Sequence, residues 1–346
     1  ACVHCRRMNP ADGVRVLAWP HGRVEVQRLG AMLGPLRFEA EGHEPFEPLQ
    51  VAPWADEPGA QALPGILRRL RGEWPCVPFG RTDHPPGLPA GWSRLEADDD
   101  AGHGHGSNHD WHWLPADDAL QLRLAIDYPP GSAVRRLERR IRARADAPAL
   151  DIELHIEMRR AQRLPLALHP VLRLDAGRIE LHVVHDGGGA TYPVPCEPGL
   201  SRLAPDRRFE GLQAVPLAAQ ADQVDGSVDA SRFPLPFDTE ELLMLRGLRA
   251  PLEVRFIDRG WRFQLDWDRA LLPDLMLWIS QRGRQGWPWN GRHLGLGVEP
   301  VNGPFDLGRV AVPPAGHAAA ADLGVELDPA RPCVLRYSLA ATPLRA

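Results

Sequence analysis

The feature that most constrains the fold is a strict alternation of apolar and polar residues in the segment ALDIELHIEM, residues 149–158. Every second residue from Leu150 to Met158 is apolar, and the intervening residues are Asp151, Glu153, His155 and Glu157. Because successive side chains of a strand point to opposite faces, a period of two predicts an antiparallel strand with one buried face and one wet face.

The same alternation recurs along the chain. It is present in RIELHVVH (178–185), PLEVRFID (251–258), WRFQLDWD (261–268) and VLRYSLA (334–340), while residues 13–38 predict a meander with glycine turns. The 36 prolines and 33 glycines fall between these runs and leave little room for long helices. Helical turns are predicted within 64–74, and residues 134–144 fit either a helix or a strand.

No linker or repeat divides the sequence. We therefore predict an all-β chain, with residues 1–346 forming a single domain built as a large antiparallel β-sandwich of two packed sheets. The helix content should lie well below the ~30–35% that is usual for globular proteins.

Charge and hydropathy narrow the class of protein. The net charge of −5 argues against a nucleic-acid binder. No run approaches the ~20 apolar residues of a membrane helix, and the first residues lack the apolar core of a signal peptide, so we expect a cytoplasmic protein without a membrane partner. All 40 basic residues are arginines. The cluster RRLERRIRAR (135–144) is predicted to be a solvated face.

Two segments raise the question of a metal. Cys2 and Cys5 form a CxxC motif beside His4, but no second pair follows at zinc-ribbon spacing. The stretch HGHGSNHDW (103–111) is rich in histidine, yet His103 and His105, if they lie on one strand, do not converge on an ion by themselves. We predict no metal and expect this stretch to present imidazoles to a polar ligand.

The segment LGLGVEPVNG (294–303) has the pattern of a strand with a functional carboxylate. Leu294, Leu296 and Val298 would share one face, whereas the other face would carry only glycines beside Glu299. Glycine removes the side chains that would otherwise keep a ligand away from the carboxylate. The alternative is a surface glutamate beside loop glycines.

A second strand, LPLALHPVLRL (164–174), repeats this pattern. Ala167 and His169 would share the face opposite Leu166 and Leu168, and Pro170 restricts His169 to an extended conformation. Tryptophans lie near both groups in the sequence: Trp111, Trp113, Trp278, Trp287 and Trp289. Indole rings beside carboxylate and imidazole groups suit a hydroxyl-rich ligand such as a sugar, whose CH faces stack on the rings.

These segments resemble the aldose 1-epimerase (galactose mutarotase-like) superfamily, in the same order and across roughly residues 15–340. RGEWPCVPFGR (71–81) is similar to the RGGIPVCFPxFG segment of hexose-6-phosphate mutarotases, and HGHGSNHDW to their HGFARNxxW. LPLALHPVLRL resembles LPxxxxHPYF. LWISQ followed by LGLGVEP, and then VELDPARPCVLRYSLA, resemble the closing segments.

The resemblance implies an enzyme that interconverts the α and β anomers of an aldose without a cofactor. It places the catalytic base at Glu299 and the acid at His169. Arg81, His103 and Asp238 would hold substrate hydroxyls, with Asp306 and Asp186 as alternatives to Asp238. His105 and Trp111 would also bind the substrate. We expect Glu299, His169 and His103 to line one cleft, with Glu299 and His169 within ~10 Å of each other because both must reach one sugar ring.

Two departures from the family pattern keep other functions open. Ser107 stands where the family has an arginine that helps hold phosphate, and Val171 stands where it has a tyrosine. They leave open a non-catalytic carbohydrate-binding protein on the same fold. Further alternatives are a hexose-6-phosphate mutarotase, which the loss of the arginine disfavours, and a zinc protein centred on residues 103–112. The choice of sugar and the oligomeric state also stay open.

Overall fold

The computed structural model describes residues 13–99, 101–219, 226–319 and 323–345, so the CxxC motif lies outside the described residues. The strands are β1 (Val14–Trp19), β2 (Gly22–Gln27), β3 (Leu33–Phe38), β4 (Pro75–Cys76), β5 (Ser93–Arg94), β6 (His112–Leu114), β7 (Gln121–Asp127), β8 (Val134–Ala143), β9 (Ala149–Met158), β10 (Gln162–Leu164), β11 (Leu166–Leu168), β12 (Val171–Arg173), β13 (Ile179–His182), β14 (Gly189–Thr191), β15 (Arg208–Phe209), β16 (Val215–Pro216), β17 (Ser227–Val228), β18 (Arg232–Phe233), β19 (Thr239–Leu245), β20 (Leu252–Phe256), β21 (Trp261–Trp267), β22 (Asp274–Gln281), β23 (Leu294–Asn302), β24 (Ala311–Val312), β25 (Val325–Leu327) and β26 (Cys333–Pro343).

Helical structure is confined to short turns in the described ranges. The α-helix α1 (His105–Asn108) has four residues. The 3-10 turns are Ala60–Ala62, Gly65–Arg69, Leu174–Ala176, Leu212–Ala214, Ile257–Arg259 and Phe305–Leu307. The low helix content predicted from the prolines and glycines is thereby confirmed, and residues 134–143 form a strand.

Two large antiparallel sheets make up the body of the protein. One has nine strands in the order β18-β13-β20-β21-β26-β9-β8-β7-β6. The other has eight, in the order β15-β14-β19-β22-β23-β11-β4, with β12 also pairing with β23. The predicted meander is confirmed as the separate three-stranded sheet β1-β2-β3.

The main hydrophobic core lies between the two large sheets. On β9, Leu150, Ile152, Leu154 and Ile156 are buried in this core, whereas the alternating polar residues stay partly exposed. Leu296 and Val298 of β23 reach it from the opposite sheet. The alternation that we read from the sequence is therefore the inward face of a β-sandwich, as predicted.

A second apolar cluster covers the other face of the eight-stranded sheet. It contains side chains that alternate with the core residues on the same strands, such as Ala167 on β11, Met276 on β22 and Val301 on β23. Loops that carry Trp54, Trp74 and other aromatic residues pack on this face. The eight-stranded sheet is consequently covered on both sides, and the second face is where the polar residues singled out above come together.

One residue of the predicted solvated cluster is wholly buried. Arg139 of β8 is 0% exposed and forms an ion pair with the equally buried Glu73. The guanidinium also donates to the Tyr337 hydroxyl (2.7 Å) and to the carbonyl of Ala31, while the Tyr337 hydroxyl donates to Glu73 (2.8 Å). The prediction of a solvated face was wrong at this position because Arg139 lies on the inward face of its strand, where a buried carboxylate balances its charge.

Within the described ranges, no helix is long and apolar enough to cross a membrane.

Arg139→Met should lower the free energy of unfolding by about 3–5 kcal/mol, because it leaves the Glu73 carboxylate buried beside a single hydroxyl donor. Arg142→Met is the matched control on the same strand, since Arg142 is exposed and pairs with Asp118 at 3.2 Å on the surface. The control should change stability by less than about 1 kcal/mol. Equal shifts of the two variants in a urea titration would contradict the structural importance of the buried pair.

Candidate functional site

Glu299 lies on β23 on the face of the eight-stranded sheet that points away from the main core. The neighbouring glycines do leave room for it: a Cβ atom at Gly297 would stand 2.4 Å from Glu299 Oε1 and 2.9 Å from the Cβ of Trp278. Glu299 is 0% exposed, and no described protein group donates a hydrogen bond to either carboxylate oxygen. A buried carboxylate without donors indicates a group kept for a ligand, since such an arrangement otherwise costs folding free energy.

His169 faces this carboxylate from the corner between β11 and β12. Its Nε2 lies 3.5 Å from Glu299 Oε1. The backbone N–H of His169 donates to the carbonyl of Trp74 (2.9 Å), and the carbonyl of Pro170 accepts from Val298 N–H (2.8 Å), so the corner is held against β23. The imidazole stacks on the Trp74 indole, with ring centroids 4.1 Å apart.

His103 completes a cluster of polar groups. Its ring meets that of His169 edge-on, with centroids 5.4 Å apart. His103 adopts a left-handed conformation with φ of 59°, which places it in the region where strained functional residues are often found. The Nδ1 atoms of His103 and His169 have no hydrogen-bond partner among the described residues. Glu299, His169 and His103 therefore line one cleft, with the first two well within 10 Å.

Burial controls the protonation of these groups. It raises the pKa of Glu299 well above its ordinary value, and the charge of Asp306 adds to the rise. Burial also lowers the pKa of His169 well below its ordinary value, and it lowers that of His103 to about 4. Desolvation therefore favours the neutral form of each group.

The cleft around these residues has a volume of about 340 Å³, and we call it the Glu299 cleft. The indoles of Trp74, Trp278 and Trp289 line it, and we call these three side chains the tryptophan wall. Because small-molecule sites range from about 300 to 1,000 Å³, its size suits a small ligand such as a single sugar ring.

The tryptophan wall rests on a buried polar network, which we did not predict from the sequence. Glu240 accepts hydrogen bonds from Trp278 Nε1 (2.6 Å) and Ser280 Oγ (2.9 Å), and Arg284 Nε lies 3.0 Å from its carboxylate. His293 Nδ1 contacts the same serine hydroxyl at 2.9 Å. Arg284 also lines the cleft, with its guanidinium over Trp289 at 4.6 Å. The signal available was Glu240 itself, two residues after Asp238, on the face of β19 that points away from the main core.

The structure separates the three candidate aspartates. Asp238 is exposed, pairs with Arg282 at 3.4 Å and does not line the Glu299 cleft. Asp186 is exposed as well and pairs with Arg249. Asp306 does line the cleft. The acidic group beside Glu299 is therefore Asp306, an alternative in the sequence analysis, and not Asp238.

Arg81 is not among the residues that line the Glu299 cleft. Its guanidinium donates to Asp83 (2.8 Å). It stands beside Tyr192, whose hydroxyl donates to Asp306 (2.8 Å), and the charge of Arg81 opposes the rise that burial causes in the pKa of Asp306. Arg81 therefore acts on the cleft through Asp306, which differs from the predicted direct contact with a ligand.

His103 and His105 do not lie on one strand. His105 begins α1, and its ring stacks on His109 with centroids 3.9 Å apart. Both histidines line a separate cavity of about 610 Å³, which contains neither Glu299 nor His169. The larger cavity is thus separate from the Glu299–His169 pair. His105 lines this cavity and does not take the predicted place in the Glu299 cleft.

Trp111 is buried in the main core and is also absent from the Glu299 cleft. It is 0% exposed, and its Nε1 donates to the carbonyl of Gly106 (2.8 Å). Ser107, which replaces the family's arginine, is buried and donates to the carbonyl of His103 (2.7 Å). Both residues hold the loop that presents His103. Their contribution to the cleft is structural, which corrects the ligand contact predicted for Trp111.

Among the described residues, no group of three or more His, Cys, Asp or Glu side chains is arranged to hold a metal ion.

Known structures share this architecture. A proposed aldose 1-epimerase from Escherichia coli K12 has a TM-score of 0.63 at 14% identity, covering 96% of this chain and 99% of that one. An aldose epimerase homologue from C. elegans has a TM-score of 0.59 at 14% identity, covering 96% and 99%. A galactose mutarotase-like protein from Lactobacillus casei has a TM-score of 0.57 at 11% identity, covering 95% and 100%. The chain thus has the galactose mutarotase-like fold.

The sequence matches no model of a known protein family and no curated protein.

Gly297→Ala should displace the Glu299 carboxylate, because the new methyl group would overlap Oε1 and the Cβ of Trp278. Overpacking of this kind destabilises a protein by about 1–3 kcal/mol. The control is Gly131→Ala, where a Cβ meets no atom within 4 Å. A crystal structure of Gly297→Ala with Glu299 unmoved, together with unchanged thermal stability, would contradict the close packing described here.

Proposed function

We propose that this protein is an aldose 1-epimerase that interconverts the α and β anomers of a free aldose. The observation that carries the proposal is the buried Glu299 carboxylate, which lacks hydrogen-bond donors and stands 3.5 Å from His169 Nε2 in a tryptophan-lined cleft. The shared fold of aldose epimerase-like structures supports it. A fold alone does not establish activity, so the argument rests on the paired groups.

The reaction needs only the movement of protons. Glu299 takes the proton from the anomeric hydroxyl, the C1–O1 bond becomes a carbonyl, and the bond between C1 and the ring oxygen breaks. His169 gives a proton to the ring oxygen as it leaves. Rotation about the C1–C2 bond and the reverse proton transfers then close the ring on the other face. General acid and base catalysis of this kind contributes about 10²–10⁴-fold for each group, and we propose no cofactor.

Binding of the sugar would favour the charged forms of Glu299 and His169. Burial shifts the pKa of each group toward its neutral form, whereas the mechanism starts from a carboxylate and an imidazolium. Sugar hydroxyls that donate to Glu299 stabilise its charged form and lower its pKa. The short distance between Oε1 and Nε2 allows a proton to pass directly once a ligand makes the charged pair favourable.

Other groups of the cleft would orient the sugar. His103, neutral at pH 7 because burial lowers its pKa to about 4, offers Nδ1 to a hydroxyl. The indoles of Trp74 and Trp278 suit the CH faces of a sugar ring.

An unphosphorylated substrate fits the cleft better than a sugar phosphate. Among the described residues that line it, Arg284 is the cationic one, and its guanidinium is already engaged with Glu240 and Trp289. A phosphate group carries nearly two negative charges and is usually held by several donors. We therefore favour a free aldose over a hexose 6-phosphate.

Glu299→Gln is the direct test, because it keeps the shape of the side chain and removes the base. Turnover should fall at least ~10²-fold while sugar binding survives. Exchange NMR of α and β anomers over a panel of aldoses measures the rate, and calorimetry measures binding. If wild type and Glu299→Gln bind a sugar but anomerise it equally slowly, the protein is a carbohydrate-binding protein on this fold and the enzyme proposal fails.

The pH dependence of kcat/KM should be a bell, because the productive pair holds one proton between Glu299 and His169. Activity falls at low pH, where both groups are protonated, and at high pH, where neither is. Asp306→Asn removes the charge that helps raise the pKa of Glu299, so the limb that reports Glu299 should move to lower pH.

Asp238→Asn is the control for this shift, since Asp238 lies outside the cleft and should leave both limbs in place. An equal shift of the pH profile of kcat/KM in both aspartate variants would contradict the proposed effect of Asp306 on the pKa of Glu299. A rise in KM for Asp238→Asn would instead favour the substrate contact that the family resemblance implied.

A further inference from the structure

The Glu299 cleft is bordered by an unusual share of aliphatic side chains for a site that would hold a sugar. Ile66, Leu67 and Leu70 come from the 3-10 turn Gly65–Arg69 and the residue after it, and Leu242 and Met276 come from β19 and β22. We call these five residues the apolar wall. Ile66, Leu67 and Leu242 are only partly buried, so their side chains are available to a ligand.

Met276 and Leu242 bring the apolar wall close to the acid–base pair. Met276 is the partner of Glu299 across the β22–β23 ladder, and Leu242 is the partner of Trp278 across the β19–β22 ladder. Directly paired residues of an antiparallel sheet share one face, with their Cβ atoms about 4.5–5.5 Å apart. A sugar seated on Glu299 therefore contacts the apolar wall as well.

Polar groups near the apolar wall are already used within the protein. The Asn108 amide donates to the carbonyls of Gly102 (2.6 Å) and Gly104 (2.8 Å), and its oxygen accepts from Ile66 N–H. Arg284 is bound to Glu240 at 3.0 Å.

Among the described residues that line the cleft, the buried polar atoms without hydrogen-bond partners form a separate group. They are the two Glu299 oxygens, Nδ1 of His169 and Nδ1 of His103. These side chains are in contact, since Glu299 Oε1 lies 3.5 Å from His169 Nε2 and the His103 ring lies against that of His169. One end of the cleft thus offers free polar atoms for a sugar, whereas the apolar wall offers none.

The contrast between the free polar atoms and the apolar wall restricts which sugars fit the cleft. The anomeric hydroxyl and the ring oxygen must meet Glu299 and His169, so the substituent on C5, next to the ring oxygen, projects beyond the polar end. A hydroxyl buried against the apolar wall loses its water and gains no partner, which is unfavourable. A methyl group in that place removes apolar surface from water, which is favourable.

We infer that the substrates of this site are 6-deoxyaldoses, sugars with a methyl group in place of the usual hydroxymethyl group. The inference rests on the proposed epimerase function and narrows it to one class of aldose.

Matched sugars that differ by one oxygen test this directly. Exchange NMR gives kcat/KM for anomerisation of 6-deoxyglucose against glucose and of 6-deoxygalactose against galactose, in the D and L series. The deoxy member of the preferred pair should be favoured at least ~10-fold, which corresponds to about 1.4 kcal/mol. Xylose, which lacks C6 altogether, should be slower than 6-deoxyglucose of the same series, because it makes no methyl contact.

A variant of the apolar wall ties the preference to these residues. Leu67→Asn supplies a polar partner in the cleft and should reduce the deoxy preference at least ~3-fold. Leu63→Asn is the matched control, because Leu63 is a partly buried leucine of the same segment that does not line the cleft. The control should keep the preference of the wild type even where it lowers stability.

The results separate the two proposals. If both members of every accelerated pair anomerise equally fast, or if xylose matches 6-deoxyglucose, the substrate inference is overturned and the epimerase function stands. An equal loss of preference in Leu67→Asn and Leu63→Asn also overturns the assignment to the apolar wall. If no sugar is accelerated relative to Glu299→Gln, the epimerase proposal fails and the inference falls with it.

Discussion

The buried ion pair between Arg139 and Glu73 links the sandwich to the candidate site. Arg139 belongs to the nine-stranded sheet, while Glu73 lies in the loop segment that leads into β4 of the eight-stranded sheet. Glu73 also exchanges backbone hydrogen bonds with Leu33, at 2.9 and 3.0 Å, so the small meander is bound to the same point. The next residue is Trp74, whose carbonyl and indole position His169. The buried ion pair thus helps to set the orientation of the His169 imidazole on the other face of the eight-stranded sheet.

Low polarity around Glu299 has two opposite effects. It makes the charged forms of Glu299 and His169 unfavourable, which raises the pKa of Glu299 and lowers that of His169. It also strengthens any electrostatic interaction that a bound ligand makes with the charged pair, because little water remains to screen it. In the proposed mechanism, the site becomes reactive mainly when a ligand supplies the missing hydrogen bonds. The same low polarity disfavours ligands with hydroxyls that the cleft cannot satisfy.

The sequence predicted the parts of the fold that depend on local periodicity. Alternation located β9, β20, β21 and the meander, and the glycines beside Glu299 indicated a strand face cleared for a carboxylate. It did not predict the path of residues 103–111. His103 and Gly104 both have positive φ there, and a Cβ at Gly104 would stand 2.1 Å from the carbonyl of Val77, a residue distant in sequence. That constraint comes from tertiary packing, which a local pattern does not contain.

The sequence did not distinguish the roles of the acidic residues for a related reason. Asp238, Glu240 and Asp306 are all plausible by residue type, and their roles differ because of where the chain folds back. Asp238 ends up paired with Arg282 on the surface, Glu240 supports the tryptophan wall, and Asp306 faces the cleft beside Glu299. The apolar wall could not be predicted for the same reason: its aliphatic residues look like ordinary core residues in the sequence, and only the fold places them beside Glu299 and His169.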